Sequence, residues 1–234
     1  VVAPTRQRIP WSITRIGANP KTTSPTPDVD AHLFILDTGV QKNHPDFNLV
    51  ESLSFIRTEP NTDDLNGHGT MAAGCAAARD NGTHVVGVAP GAKIHSYKVL
   101  DRYGTGSLSA VVAAIDAVIR YKKYFPSVSP VVNLSLGGYA GTTAYNALDA
   151  AIATAVRDHN ITVVVAAGNE AMDAAMCTKA HVTDVVTVLA YDAADAFASY
   201  SNFGSVVDLL APGKDVVTTG LRSTVVTTSL PGSN

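Results

Sequence analysis

His32-Leu33-Phe34-Ile35-Leu36-Asp37-Thr38-Gly39 is an apolar run that stops at a carboxylate, a hydroxyl and a glycine. A short apolar run without polar alternation is the pattern of a strand covered on both faces of its sheet. Further short runs, β-branched or apolar along most of their length, follow at 93–99, 130–135, 161–166, 184–190 and 206–210. Between them, Ala-rich segments at 68–78, 107–121 and 143–159 carry helical spacing, and Leu108, Val111, Val112, Ile115, Val118 and Ile119 form an apolar stripe. Strands alternating with helices predict an α/β fold of three layers, a mostly parallel central sheet with helices on both faces. Ligands of such a sheet gather at the carboxyl ends of its strands, where Asp37 falls. The first 30 residues, rich in Pro, Thr and Ser, are expected to lie as an irregular surface arm.

The 234 residues, 46% hydrophobic, suffice for one large core, and one domain over 1–234 is expected. A formal charge of −3 with 17 scattered Lys and Arg provides no basic patch for nucleic acid. No apolar run reaches the length of a bilayer span, so no membrane partner is expected. Val1-Val2-Ala3-Pro4 carries neither an initiator Met nor a signal-peptide pattern and reads as a processed N-terminus. Cys75, in an Ala-rich helical segment, reads as a small packed residue, whereas Cys177 in a polar loop is left open between free and paired. Asn81, Asn133 and Asn160 match the glycosylation acceptor pattern, although Asn133 falls on a predicted buried strand.

The chemistry begins with Asp37 and with His68 in Gly67-His68-Gly69-Thr70. An acid leaving the end of a buried strand and a His opening a buried helix can meet above a sheet. There the acid fixes the tautomer of an imidazole that acts as general base. Each residue alone also fits a plain turn or cap; together, beside glycines that let backbone approach closely, they point to a site. In Val163-Val164-Val165-Ala166-Ala167-Gly168-Asn169-Glu170 a buried strand ends in small residues and an amide. Asn169 reads either as a left-handed turn residue or as a side-chain donor to an oxyanion. Asn133-Leu134-Ser135-Leu136-Gly137-Gly138 is a strand end whose backbone can pair with an extended peptide.

Taken in order, Ile35-Leu36-Asp37-Thr38-Gly39-Val40, His44-Pro45-Asp46, His68-Gly69-Thr70, Gly87-Val88-Ala89-Pro90, Ser135-Leu136-Gly137-Gly138, Ala166-Ala167-Gly168-Asn169, Ser201-Asn202-Phe203-Gly204 and Ala211-Pro212-Gly213 resemble the subtilisin-like serine proteases. The resemblance runs from about Gln7 to Gly213. It implies a secreted or vesicular serine endopeptidase acting on proteins and peptides, made with a removable prosegment and met by proteinaceous inhibitors. In its terms Asp37 orients the imidazole, His68 is general base and then acid, and Asn169 is the oxyanion donor. Ser135, Leu136 and Gly137 form one wall of the substrate groove, and Gly104, Thr105 and Gly106 the opposite edge strand. Leu108 lines a pocket upstream of the scissile bond, while Ala166, Ala167, Gly168 and Glu170 surround the primary specificity pocket. Small apolar residues there suit uncharged side chains, and Glu170 offers a counter-charge to a basic one. The resemblance also implies a structural Ca2+ held by side-chain oxygens of Gln7, Asp46 and Asn81 and by the carbonyls of Arg79, Thr83 and Val85, an all-oxygen shell suited to a hard cation.

Departures from the family pattern are localised. Met71 stands where a His often follows His68-Gly69-Thr70, and Cys177-Thr178-Lys179-Ala180 stands where many members carry a Pro near the primary pocket. The Gly-Thr-Ser-Met-Ala type motif that brings the nucleophile does not occur between Gly213 and Asn234, and neither Ser223, Ser229 nor Ser233 opens an apolar helical segment. The expectation is a chain cut just ahead of that motif, its nucleophile on a C-terminal fragment. The alternative is a catalytically dead module that holds extended peptides. A metal on Asp37 and His68 lacks further ligands at metal spacing.

Overall fold

The computed structural model describes residues 6–18, 27–137, 143–176 and 182–228. Seven strands form its central sheet: β1 (His32–Asp37), β2 (Asn48–Ser54), β3 (Lys93–Lys98), β4 (Pro130–Leu134), β5 (Thr162–Ala166), β6 (Val186–Tyr191) and β7 (Leu209–Pro212). They lie in the order β2-β3-β1-β4-β5-β6-β7, and every pairing is parallel. After β1 the chain builds to one side through β2 and β3, then crosses to the other side of β1 with β4. The crevice beyond the carboxyl ends of β1 and β4 is therefore the place where strand order reverses.

Side chains alternate along β1 between two cores. Phe34 and Leu36 pack with α3 (Leu108–Tyr124) and α4 (Thr143–His159), whereas Ile35 packs with Ala73 and Ala77 of α2 (His68–Ala77). Asp37 continues the Ile35 register, so the strand end and the first residue of α2 lie on one side of the sheet. Ser107 caps α3, its Oγ accepting from Ala110 N at 3.2 Å. α2 has no side-chain cap of its own and starts from Gly67, whose φ of +110° suits glycine.

Four elements differ from expectation. The arm contains a short helix, α1 (Trp11–Arg15), begun after Pro10, whose carbonyl accepts from Ile13 N at 3.1 Å and Thr14 N at 3.4 Å. β2 escaped notice because it is an edge strand: Asn48, Glu51, Ser52 and Ser54 break the apolar pattern, and it needs little coverage. The last sheet strand runs over Leu209–Pro212 and not 206–210, since Asp208 carboxylate oxygen turns back to accept Thr187 N at 2.8 Å. An antiparallel hairpin, β8 (Val217–Gly220) and β9 (Thr224–Thr227), was not foreseen. It packs on α2: Thr218 and Thr219 donate their hydroxyls to the carbonyls of Met71 and Thr70 at 2.9 and 2.8 Å. A Cβ on Gly74 would lie 2.1 Å from Thr219 Oγ1, so the small residues of α2 serve a close helix–hairpin contact. Cys75 is a free, half-buried thiol on this helix, and burial pushes its pKa up. Cys177 and the segment 178–180 lie outside the described residues.

Candidate active site

Asp37 is fully buried at the end of β1, and its two carboxylate oxygens lie 2.8 and 2.9 Å from His68 Nδ1. An ionised carboxylate only accepts, so Nδ1 carries the proton and Nε2 is left with its lone pair. Thr38 N donates to Asp37 Oδ1 at 2.7 Å and helps fix the carboxylate. The hydrogen bond to Asp37, together with its charge, raises the His68 pKa above the ordinary imidazole value, against the opposing effect of burial. Gly69 makes the approach feasible: a Cβ there would sit 2.0 Å from Gly39 O and 3.1 Å from Asp37 Cβ.

Two buried charges that sequence reasoning missed hold this pair. Asp64, 4% exposed, accepts from Thr38 Oγ1 at 2.9 Å, Asn66 N at 2.9 Å, Gly67 N at 2.8 Å, Thr70 N at 3.0 Å and Thr70 Oγ1 at 2.7 Å. It thereby satisfies free N–H groups at the start of α2 and ties them to the residue after Asp37. The available signal was a carboxylate just ahead of a predicted helix, in Asp64-Leu65-Asn66-Gly67-His68. Lys98, fully buried at the end of β3, donates Nζ to Thr38 O and Leu100 O, each at 2.8 Å, with a Glu59 carboxylate oxygen at 3.3 Å. Nothing in Lys93-Ile94-His95-Ser96-Tyr97-Lys98 singles it out, since polar residues recur along that stretch.

The other proposed residues sit at neighbouring strand ends. Ser135, Leu136 and Gly137 follow β4, and Ala166, Ala167, Gly168, Asn169 and Glu170 close β5 and continue past it. A Cβ on Gly137 would be 4.0 Å from Glu170 Oε1, so the two segments face each other. Gly168 has φ +111°, and a Cβ there would come within 2.3 Å of Asn202 Nδ2. Glu170 Oε2 is turned inward, accepting from Asn169 N at 2.9 Å and Asn202 Nδ2 at 2.7 Å. That engagement weakens the case for Glu170 as a counter-charge to a basic substrate side chain. The Asn169 side chain is exposed and makes no hydrogen bond to the described residues. Gly104, Thr105 and Gly106 lie exposed in the loop between β3 and α3, organised by Asp101, whose Oδ1 accepts from Thr105 N at 3.0 Å. They form no regular strand there. Leu108, half-buried, opens α3.

The residues expected around a cation also converge. Gln7 Nε2 reaches both Arg79 O at 2.8 Å and Val85 O at 3.0 Å, and Arg8 N bonds His84 O at 2.7 Å. Asn81 donates to Asp46 Oδ1 at 3.0 Å and accepts from Thr83 N at 3.0 Å. Asp46 is fully buried, and its Oδ2 has no hydrogen-bond partner among the described residues. Burial pushes the Asp46 carboxyl up, opposed by the hydrogen bond from Asn81. A buried carboxylate oxygen left without a donor, beside carbonyls that share one amide, fits an oxygen-bound cation.

Comparison with known proteins gives the same direction. A family model described as the subtilase family matches residues 31–234. Subtilisin DY of Bacillus licheniformis is 35% identical over 232 residues, covering 97% of this chain and 80% of that protein. Proteinase T of Parengyodontium album is 39% identical over 226 residues, covering 93% and 73%. An extracellular serine proteinase of Thermus sp. (strain Rt41A) is 37% identical over 206 residues, 87% of this chain but 47% of that longer protein, so the chain spans about half of that relative. The crystal structure of a cold adapted subtilisin-like serine proteinase superposes with a TM-score of 0.76 at 31% identity, covering 94% of this chain and 78% of that one.

Proposed function

The chain belongs to the subtilase family, and on that premise we propose that it works as a serine endopeptidase on protein and peptide substrates. The observation that supports this most is the buried Asp37 carboxylate on His68 Nδ1 at the carboxyl ends of the parallel strands. In this reading a serine hydroxyl at His68 Nε2 gives its proton to the imidazole as its oxygen adds to the scissile carbonyl. Asp37 stabilises the imidazolium that forms, and His68 then protonates the leaving amine. Water repeats the sequence to release the acyl group. Asn169, its amide without a hydrogen-bond partner among the described residues, donates to the oxyanion, a contribution of about 3 kcal/mol to the transition state. The backbone of Ser135–Gly137 aligns the substrate opposite Gly104–Gly106, with Leu108 in an upstream pocket and Ala166, Ala167, Gly168 and Glu170 around the primary one.

No serine among the described residues hydrogen-bonds His68. In this reading the nucleophile is carried by a segment that follows Asn234 or associates with this chain. We also propose a structural Ca2+ on Gln7, Asp46 and Asn81 with the carbonyls of Arg79, Thr83 and Val85; it would supply positive charge to the buried Asp46 carboxylate and pin the N-terminal segment. Secretion, a prosegment and a proteinaceous inhibitor belong to the same reading. It is supported by the relative named as an extracellular proteinase, and no helix among the described residues is long and apolar enough to cross a membrane.

The test is intact mass spectrometry of the purified protein with and without a fluorophosphonate probe. A species carrying this sequence, or a fragment bound to it, should gain one probe mass. A sample of this chain alone that gains nothing, yet retains extended peptides in a binding assay, would replace the enzyme by the peptide-binding module.

A further inference from the structure

His32 opens β1 at the end opposite Asp37, and there edge strand β2 and the last turns of α3 leave a cleft of about 590 Å³ between them. That volume lies in the range of small-molecule sites. Its floor is a relay of buried polar groups. Glu51 Oε2 accepts the Tyr97 hydroxyl at 3.0 Å and lies 2.9 Å from His95 Nδ1, while His95 Nε2 lies 2.9 Å from His32 Nδ1. The imidazole centroids are 5.2 Å apart, the separation of two rings meeting head-on through one hydrogen bond. His95 is 2% exposed and stacked on Phe34 with centroids 4.1 Å apart, so the relay is held rigidly.

The carboxylate sets the proton order. Glu51 only accepts, so His95 Nδ1 donates to it, His95 Nε2 accepts, and His32 Nδ1 donates. His32 Nε2 is then an acceptor with no protein partner among the described residues. The charges around it are unequal. Lys93 is paired with Asp30 at 2.8 Å and Glu51 is engaged twice, whereas Arg120 is exposed on α3 and makes no ion pair among the described residues. Tyr124 and Phe125 line the same cleft and are 80% and 51% exposed, an unusual outlay of aromatic surface.

We propose that this cleft is a second binding site, taking an aromatic acid with a neighbouring N–H donor: an N-acylated aromatic amino acid, free or as the last residue of a peptide. The carboxylate takes the Arg120 fork, the ring lies against Tyr124 and Phe125, and the N–H donates to His32 Nε2. The site is on the opposite end of β1 from Asp37 and does not depend on the protease reading.

Titration of the purified protein followed by NMR tests it, with N-acetyl-phenylalanine and N-acetyl-phenylalaninamide as probes. The acid should shift Arg120, Tyr124 and Phe125 saturably, and the amide should bind at least about tenfold more weakly because the charge-assisted contact is gone. Arg120→Gln, at an exposed position without an ion pair among the described residues, should keep the fold, reduce the acid to the affinity of the amide and leave the amide unchanged. Tyr124→Ala should weaken both. A pentapeptide ending in Phe that binds as well as the free acid assigns the site to peptide C-termini; one that is excluded assigns it to small acids. Equal binding of acid and amide, no effect of Arg120→Gln, or shifts confined to Ala166 and Asn169 would overturn the proposal.

Discussion

The Asp64 carboxylate accepts the Thr38 hydroxyl at 2.9 Å, and through this contact the end of β1 and the start of α2 share one buried anion. The remaining oxygen capacity of Asp64 is taken by Asn66 N, Gly67 N, Thr70 N and Thr70 Oγ1. Asp64→Asn replaces an acceptor by an NH2 that faces donors. It should cost about 2–4 kcal/mol in stability, read as a lower urea midpoint. Thr38→Val removes only one of these bonds and should cost about 1 kcal/mol. If Asp64 also positions the pair, the Asn variant will show a changed His68 ring 15N pattern in folded protein, whereas a merely structural role would leave that pattern intact.

Asp37→Asn separates orientation from fold. The amide offers His68 Nδ1 no anionic acceptor, so the proton can move to Nε2 and the general base is lost. Hydrolysis in the nucleophile-bearing form should fall about 10⁴-fold. Asp37 is also the cause of the raised His68 pKa, so the variant should titrate lower. The sign for stability follows: a raised folded-state pKa contributes stability that is fully present below the unfolded imidazole value and lost as pH rises through the folded one. Parent protein should lose a little stability across that interval and Asp37→Asn should not. The activity limb, which needs neutral His68, should rise over the same interval. An unchanged His68 titration in the variant would contradict the assignment.

The parallel sheet was legible because its central strand buries both faces: Phe34 and Leu36 on one side and Ile35 on the other leave no polar alternation to misread. β2 was not, because a strand with one open edge tolerates Glu51 and Ser52. The hairpin was not, because its stability comes from Thr218 and Thr219 bonding the backbone of a helix some 147 residues away in sequence. Asp37 and His68 were legible as strand end and helix start, each flanked by glycine. Asp64 and Lys98 were not, since their roles are contacts with the Thr38 hydroxyl and the Thr38 carbonyl of another segment, and such contacts leave no periodicity behind. The Gln7 contacts to Arg79 and Val85 became visible only through family resemblance, for the same reason.

Gly69 sets the distance between strand and helix. Its added Cβ would meet Gly39 O at 2.0 Å, and a backbone atom cannot swing aside as a flexible side chain does. Gly69→Ala should therefore push α2 away from β1, costing about 1–3 kcal/mol through overpacking despite the better helix propensity of Ala. The Asp37–His68 hydrogen bond should lengthen, seen as loss of the downfield His68 Nδ1 proton in NMR spectra. Gly82→Ala gives a useful contrast: its φ is +84° with open space around the Cβ, so only backbone strain of about 1 kcal/mol is expected and the downfield proton should persist.

Calcium should act on stability and not on the chemistry. Asp46 Oδ2 is buried without a donor among the described residues, and Arg79 O and Val85 O converge on the same amide of Gln7. A cation there would satisfy the Asp46 oxygen, draw on the two carbonyls beside it and fasten the segment around Gln7 to the turn that follows α2. At free calcium 100-fold above its dissociation constant, the contribution is about 2.7 kcal/mol. For a chain of this size that corresponds to a Tm higher by about 5–10 °C, measured by calorimetry in calcium against excess chelator. Magnesium, which demands a small octahedron and holds its waters, should restore little of it. Asp46→Asn should abolish the calcium response, its melting temperature in calcium matching that in chelator. A parent protein whose melting temperature is the same in calcium and chelator would rule the ion out, leaving the buried Asp46 carboxylate to its contacts with Asn81 and His84.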